Sequence, residues 1–138
     1  MVTKIYIDAE NSAMGRVASF AAKNALQGNE VFVLNSEKAL ISGRAEKTIE
    51  DFKFIRQLNS IKPEKGPFLS KTPDRIMKRV IRGMLPDYRV GRGRVAWKQI
   101  KTYVGIPAEF SKEKLIKLTE KKDELKKVIS IAELSRKA

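Results

Sequence analysis

The chain has 138 residues, a formal net charge of +13 and a sequence pI of about 10.1, a cation excess that points to a polyanionic partner. It contains no Cys and no His, which excludes thiolate or imidazole zinc sites and every Ser-His-Asp or Cys-His nucleophilic system. Apolar runs such as "VFVL" are far too short to span a bilayer, and the polar, strand-like N-terminus has no secretory pattern, so a cytoplasmic protein is expected.

In chain order, "KIYIDA" (Lys4 to Ala9) alternates as a strand does. Asn11 or Ser12 then offers a cap for a helix whose Met14, Val17, Ala18, Ala21, Ala22 and Ala25 fall on one apolar face. Most of that face is Ala, which suits close approach, and Gly28 is the expected stop. "EVFVLN" (Glu30 to Asn35) is apolar without alternation, as in a strand covered on both faces. Strand, helix, strand predicts a βαβ unit and a parallel sheet. "ALISG" reads as a short strand or turn. Ala45 to Leu58 reads as a helix, with Ile49, Phe52, Ile55 and Leu58 at three-residue intervals, and Asn59 to Ser70 as a loop.

Pro73 to Leu85 is the most informative element. Thr72 is suited to the N-cap, Pro73 to the first helical position, and Pro86 to termination. Ile76, Met77, Val80, Ile81, Met84 and Leu85 cover one side; Arg75, Lys78, Arg79 and Arg82 form a narrow stripe opposite, with no acid inside it. A solvated helix face normally mixes signs, so this stripe reads as a phosphate-binding surface. "DYRVGRGR" (Asp87 to Arg94) then reads as a loop carrying Arg89, Arg92 and Arg94, with glycines that admit a phosphate close to the backbone. Tyr88 and Trp97 flank it and are able to stack on bases, although packing in the core is the favoured role for Trp97. "IKTYVG" (Ile100 to Gly105) returns to strand alternation. Ser111 to Lys127 reads as a solvated helix of mixed charge, with Leu115, Leu118 and Leu125 on one side.

The charge is unevenly placed. Residues 1–60 hold 8 Lys and Arg against 7 Asp and Glu; residues 61–101 hold 12 against 3; residues 102–138 hold 9 against 6. The polyanion site is therefore expected in the middle third, where Lys98 and Lys101 add to the arginines and lysines named above.

Nucleotide-binding motifs fail their tests. The turn after the first strand, "DAENSAMGR", has one glycine, where a dinucleotide fold needs G-x-G-x-x-G. "GRGRVA" spells that motif but follows a proline-bounded loop and not a strand. In "SGRAEKT" a glutamate, Glu46, stands where a phosphate loop needs glycine. A nucleotide-binding or enzymatic α/β domain is the disfavoured alternative, and a messenger-RNA or anionic-membrane binder a weaker third reading.

"IRGMLP" (Ile81 to Pro86) followed by "GRGRVAWKQIKTYVGIP" resembles the signature region of large-subunit ribosomal protein family thirteen. "IDAENSAMGRVAS" and "VFVLNSEKALISG" resemble that family's first strand-helix-strand, so the resemblance runs from about Ile5 to Pro107. The direct passage from the first helix into "EVFVLN" is similar to archaeal members. The resemblance implies a single three-layer α/β domain with a short, mostly parallel sheet flanked by helices, over residues 1–107; residues 108–138 depart from the family's common core and read as a C-terminal helical extension. It implies a structural protein, not an enzyme, that binds large-subunit rRNA early in subunit assembly beside neighbouring ribosomal proteins. No cofactor, metal, membrane or small-molecule substrate is expected. It also adds Arg16, Lys38, Arg44 and Lys47 to the expected RNA contacts, four residues in a charge-balanced region that composition alone does not single out.

Overall fold

The computed structural model describes residues 2–58, 61–118 and 127–138. Four strands, β1 (Lys4–Asp8), β2 (Glu30–Leu34), β4 (Ile100–Thr102) and β5 (Leu115–Lys117), form an all-parallel sheet in the order β4-β2-β1-β5. A smaller antiparallel pair joins β3 (Leu40–Ser42) to β6 (Val128–Ser130). The helices are α1 (Met14–Leu26), α2 (Ala45–Gln57), α3 (Pro73–Gly83), α4 (Gly91–Gln99) and α5 (Ile131–Lys137). The chain is an α/β protein with a mostly parallel sheet, as its βαβ pattern predicts.

The core lies between one sheet face and the helices. Ile7, Val31, Val33 and Ile100 point from the strands into a cluster with Val17, Ala18, Ala21, Ala22 and Ala25 of α1 and Ile76, Met77 and Ile81 of α3. The alanines bring the α1 backbone close to both α3 and α4. Their value is proximity and not buried area, so a larger side chain there would overpack the core. Gly28, at φ +93°, ends α1 in a conformation that favours glycine, and its N–H bonds to the Ala25 carbonyl at 3.1 Å. Neither expected cap residue caps α1. Ala13 occupies the position, while Ser12 is buried with its hydroxyl donating to the Glu10 carbonyl.

The opposite sheet face is aromatic. Tyr6 and Phe32 stack at 5.1 Å, and Phe110, from a single 3₁₀ turn at Ala108–Phe110, tilts onto both at 5.3 and 5.1 Å. Tyr103 closes the group, 5.5 Å from Phe110. Each such pair contributes about 0.5–1.5 kcal/mol beyond its area.

The carboxyl ends of three strands are tied by one buried acid. Asp8 is 2% exposed; its Oδ1 accepts from Asn35 Nδ2 at 2.9 Å and from the Glu10 N–H at 3.0 Å, and Lys117 Nζ lies 3.6 Å from Oδ2. Asn35 adopts φ 55°, a left-handed conformation its amide side chain tolerates, so β2 turns abruptly and presents that amide to Asp8.

Two expectations are corrected. The segment from Ser111 is not helical: Leu115–Lys117 is a strand pairing with Tyr6–Asp8 of β1, and the rest of the expected helix, from 119 to 126, lies outside the described residues. The C-terminal helix is instead α5, capped by the Ser130 hydroxyl accepting from the Glu133 N–H at 3.2 Å. The segment Asp87 to Arg94 is not all loop, because α4 begins at Gly91.

Candidate nucleic-acid interface

Helix α3 forms as its sequence predicts. Pro73 opens it and its hydrophobic side is buried through Ile76, Met77 and Ile81. Thr72 stands at the N-cap, but its hydroxyl pairs with Ser70 at 3.3 Å and does not cap the helix. Burial of the apolar side turns Arg75 and Arg79 outward and leaves Lys78 and Arg82 half-buried along its margin. No ion pair neutralises any of these four among the described residues.

Helix α4 lies beside this stripe. Gly93 and Ala96 form its buried side. Gly93 has no room for a Cβ, which would strike the carbonyl oxygens of Asp87 and Pro86. The close approach at this glycine is therefore to the chain's own turn, not to a phosphate as its sequence suggests. Gly91 has φ +60° and open space around it. Trp97 is half-buried and lies outside the core cluster, contrary to its expected core role. Its ring faces α3, and Lys78 Nζ sits 4.8 Å from the ring centre. Ser70, Arg75, Ile76, Lys78, Arg79, Arg82 and Trp97 together line a surface cup of about 190 Å³.

Tyr88 bridges the two helices. The Arg82 guanidinium lies 4.7 Å from its ring centre, that of Arg89 lies 5.4 Å away, and Arg89 Nε donates to the phenol oxygen at 3.3 Å. That hydrogen bond, reinforced by the Arg89 charge, holds the Tyr88 phenol below its usual range. Arg89 is in turn set by its N–H donating to Asp87 Oδ1 at 3.0 Å. Arg94 and Lys98, one turn apart, continue the positive surface from the Trp97 side of α4, whereas Arg92 projects from its other flank.

The remaining expected contacts lie elsewhere. Lys101 belongs to the aromatic face of the sheet, its Nζ 5.7 Å from the Phe32 ring centre. Lys38 pairs with Glu10 at 3.3 Å near the carboxyl ends of the strands. Arg44 and Lys47 stand at the start of α2, where Arg44, Glu46 and Lys127 border a separate hollow. Arg16 is exposed in the first turn of α1. The chain thus brings Arg75, Lys78, Arg79, Arg82, Arg89, Arg94 and Lys98 onto one surface and spreads the others around the molecule. Ser70 and Trp97 join that surface, although the sequence pattern assigns Ser70 to a loop and Trp97 to the core. The signal for Trp97 is its position one helical turn from both Gly93 and Arg94, at the margin between the buried side and the basic side, which becomes visible only once this segment is recognised as a helix.

Fold and surface together define a basic α/β domain that gathers a group of cations, without ion pairs among the described residues, on two helices packed over one face of a parallel sheet. The chain belongs to the ribosomal protein L13 family, whose pattern it matches over residues 3–109. It is 42% identical over 135 residues to the large ribosomal subunit protein uL13 of Methanosarcina barkeri, covering 95% of this chain and 94% of that one. It is 37% identical over 134 residues to the protein of the same name from Archaeoglobus fulgidus, covering 94% and 84%. A third uL13, from Caenorhabditis elegans, is 40% identical over 111 residues, 80% of this chain but 54% of that longer protein.

Proposed function

We propose that this chain is a structural constituent of the large ribosomal subunit that binds large-subunit rRNA through the α3–α4 surface and supports early subunit assembly, in the cytoplasm and beside neighbouring ribosomal proteins. The observation that carries the reading is the acid-free stripe Arg75, Lys78, Arg79 and Arg82, held outward by burial of the other side of α3 and left without ion pairs among the described residues. Unpaired cations on a rigid helix repel one another, and a run of phosphates removes that repulsion while releasing counterions. Family membership and the names of the relatives support the same reading. The dispersed Arg16, Lys38, Arg44, Lys47, Arg92 and Lys101 fit an RNA that wraps the domain and touches several faces. The family is one of ribosomal proteins, not of enzymes.

Co-sedimentation with large ribosomal subunits through a high-salt wash tests the reading. The protein is expected to stay with the large subunit and to be absent from the free fraction. Quantitative release by the wash, or association with membranes instead, overturns it.

A further inference from the structure

Resting on the reading that the α3–α4 surface binds RNA, we infer that the cup between these helices holds one unstacked nucleotide, with its phosphate on the α3 cations and its base against Trp97. Three observations lead there. The cup measures about 190 Å³, below the roughly 300–1,000 Å³ of pockets that enclose a whole small ligand. It is sized for part of a polymer. Its walls are of two kinds: Arg75, Arg79 and Arg82 suit a phosphate, whereas the half-buried indole offers a π-face that a phosphate does not use. An A-form duplex keeps its bases stacked inside and presents only backbone to such a surface, while a splayed nucleotide presents both groups together.

The third observation is Lys78. Its ammonium lies 4.8 Å from the Trp97 ring centre, so the indole already receives a positively charged partner at the surface. The flexible stem of lysine lets that ammonium leave the ring for a phosphate when a base arrives. Tyr88, whose ring centre is 6.2 Å from that of Trp97, and Arg82, packed on Tyr88, keep the wall of the cup in place.

Trp97 is the only tryptophan in the chain, so its fluorescence reports on this cup alone. The intact protein is titrated with a single-stranded oligoribonucleotide, an abasic strand of equal length and a duplex RNA, with binding followed separately by anisotropy of labelled strands. The base-bearing single strand is expected to bind and quench Trp97; the abasic strand and the duplex are expected to bind with little quenching. Trp97→Leu should weaken the base-bearing strand roughly tenfold and leave the abasic strand unchanged, while Trp97→Phe should restore most of the difference. Equal quenching by base-bearing and abasic strands, or none by either when both bind, overturns the nucleotide cup and leaves the RNA surface standing. Failure of every strand to bind overturns both.

Discussion

Gly93 packs against the carbonyl oxygen of Asp87 so closely that no Cβ fits between them. The packing fastens the first turn of α4 to the turn that leaves α3, and it fixes where Tyr88 and Arg89 stand. Gly93→Ala is expected to lose about 1–3 kcal/mol by overpacking. Gly91→Ala meets no atom but retains the cost of φ +60° in a residue with a Cβ, about 1 kcal/mol. Urea unfolding of the two variants measures both, and equal stability of Gly93→Ala and the parent chain would refute the role of this close approach.

Changing Arg75, Lys78, Arg79 and Arg82 together to Gln should leave the chain folded at a modest cost: the exposed Arg75 and Arg79 each cost within about 0.5 kcal/mol, and the half-buried Lys78 and Arg82 each lose a cation–π contact worth about 0.5–1 kcal/mol. RNA binding should weaken, and the slope of log K against log salt should become shallower by about 3, at roughly 0.7 for each phosphate that no longer meets a cation. A salt titration by filter binding gives both slopes. An unchanged slope with a large loss of thermal stability would show the stripe to be structural.

The Tyr88 phenol should ionise at lower pH than an ordinary tyrosine, because Arg89 donates to it and carries the opposite charge. Ionisation is favoured more in the folded chain than in the unfolded one. Its contribution to stability is thus present above the ordinary tyrosine value of 10.0 and is lost as pH falls through the lower folded value. Spectroscopic titration of tyrosinate absorbance should show Arg89→Gln shifting one of the three tyrosines upward. Superimposable curves would dismiss the hydrogen bond.

Asp8→Ala removes the acceptor for the Asn35 amide and the partner of Lys117. A buried donor left unpaired costs about 1–3 kcal/mol. Thermal unfolding should show that loss, and Asp8→Asn, which keeps one acceptor, should recover part of it. Recovery is what separates the missing hydrogen bond from a general packing defect.

Much of this architecture is readable in the residues. The Met14 to Ala25 spacing, the unbroken apolar run at Val31 to Leu34 and the two opposed faces of α3 each carry their own period, and the structure follows them. The failures are places where tertiary contact decides. Gly91 to Arg94 looks like a loop by composition, yet it is helical because Gly93 nests on Asp87, a meeting no local pattern contains. Leu115 and Leu118 share a helical spacing, but three residues of strand are too short to declare a period of two, and pairing with β1 settles the matter. The stripe on α3 is legible because one helix carries it. The cup is not, because Trp97 reaches it from a second helix.

The position of β5 has a consequence for how the polypeptide is completed. The family pattern ends at residue 109, yet β1 pairs on one side with β2 and on the other with Leu115–Lys117. A chain shortened to the matched region would therefore keep α1 to α4 and lose β6 and α5, leaving Tyr6–Asp8 with a row of open amides and carbonyls, Asp8 without Lys117, and the aromatic face without Phe110. Such a row invites strand addition from another molecule. During synthesis the nascent protein carries this adhesive edge until residue 117 has emerged, so the last quarter of the chain acts as a seal on a sheet whose other strands are made before it.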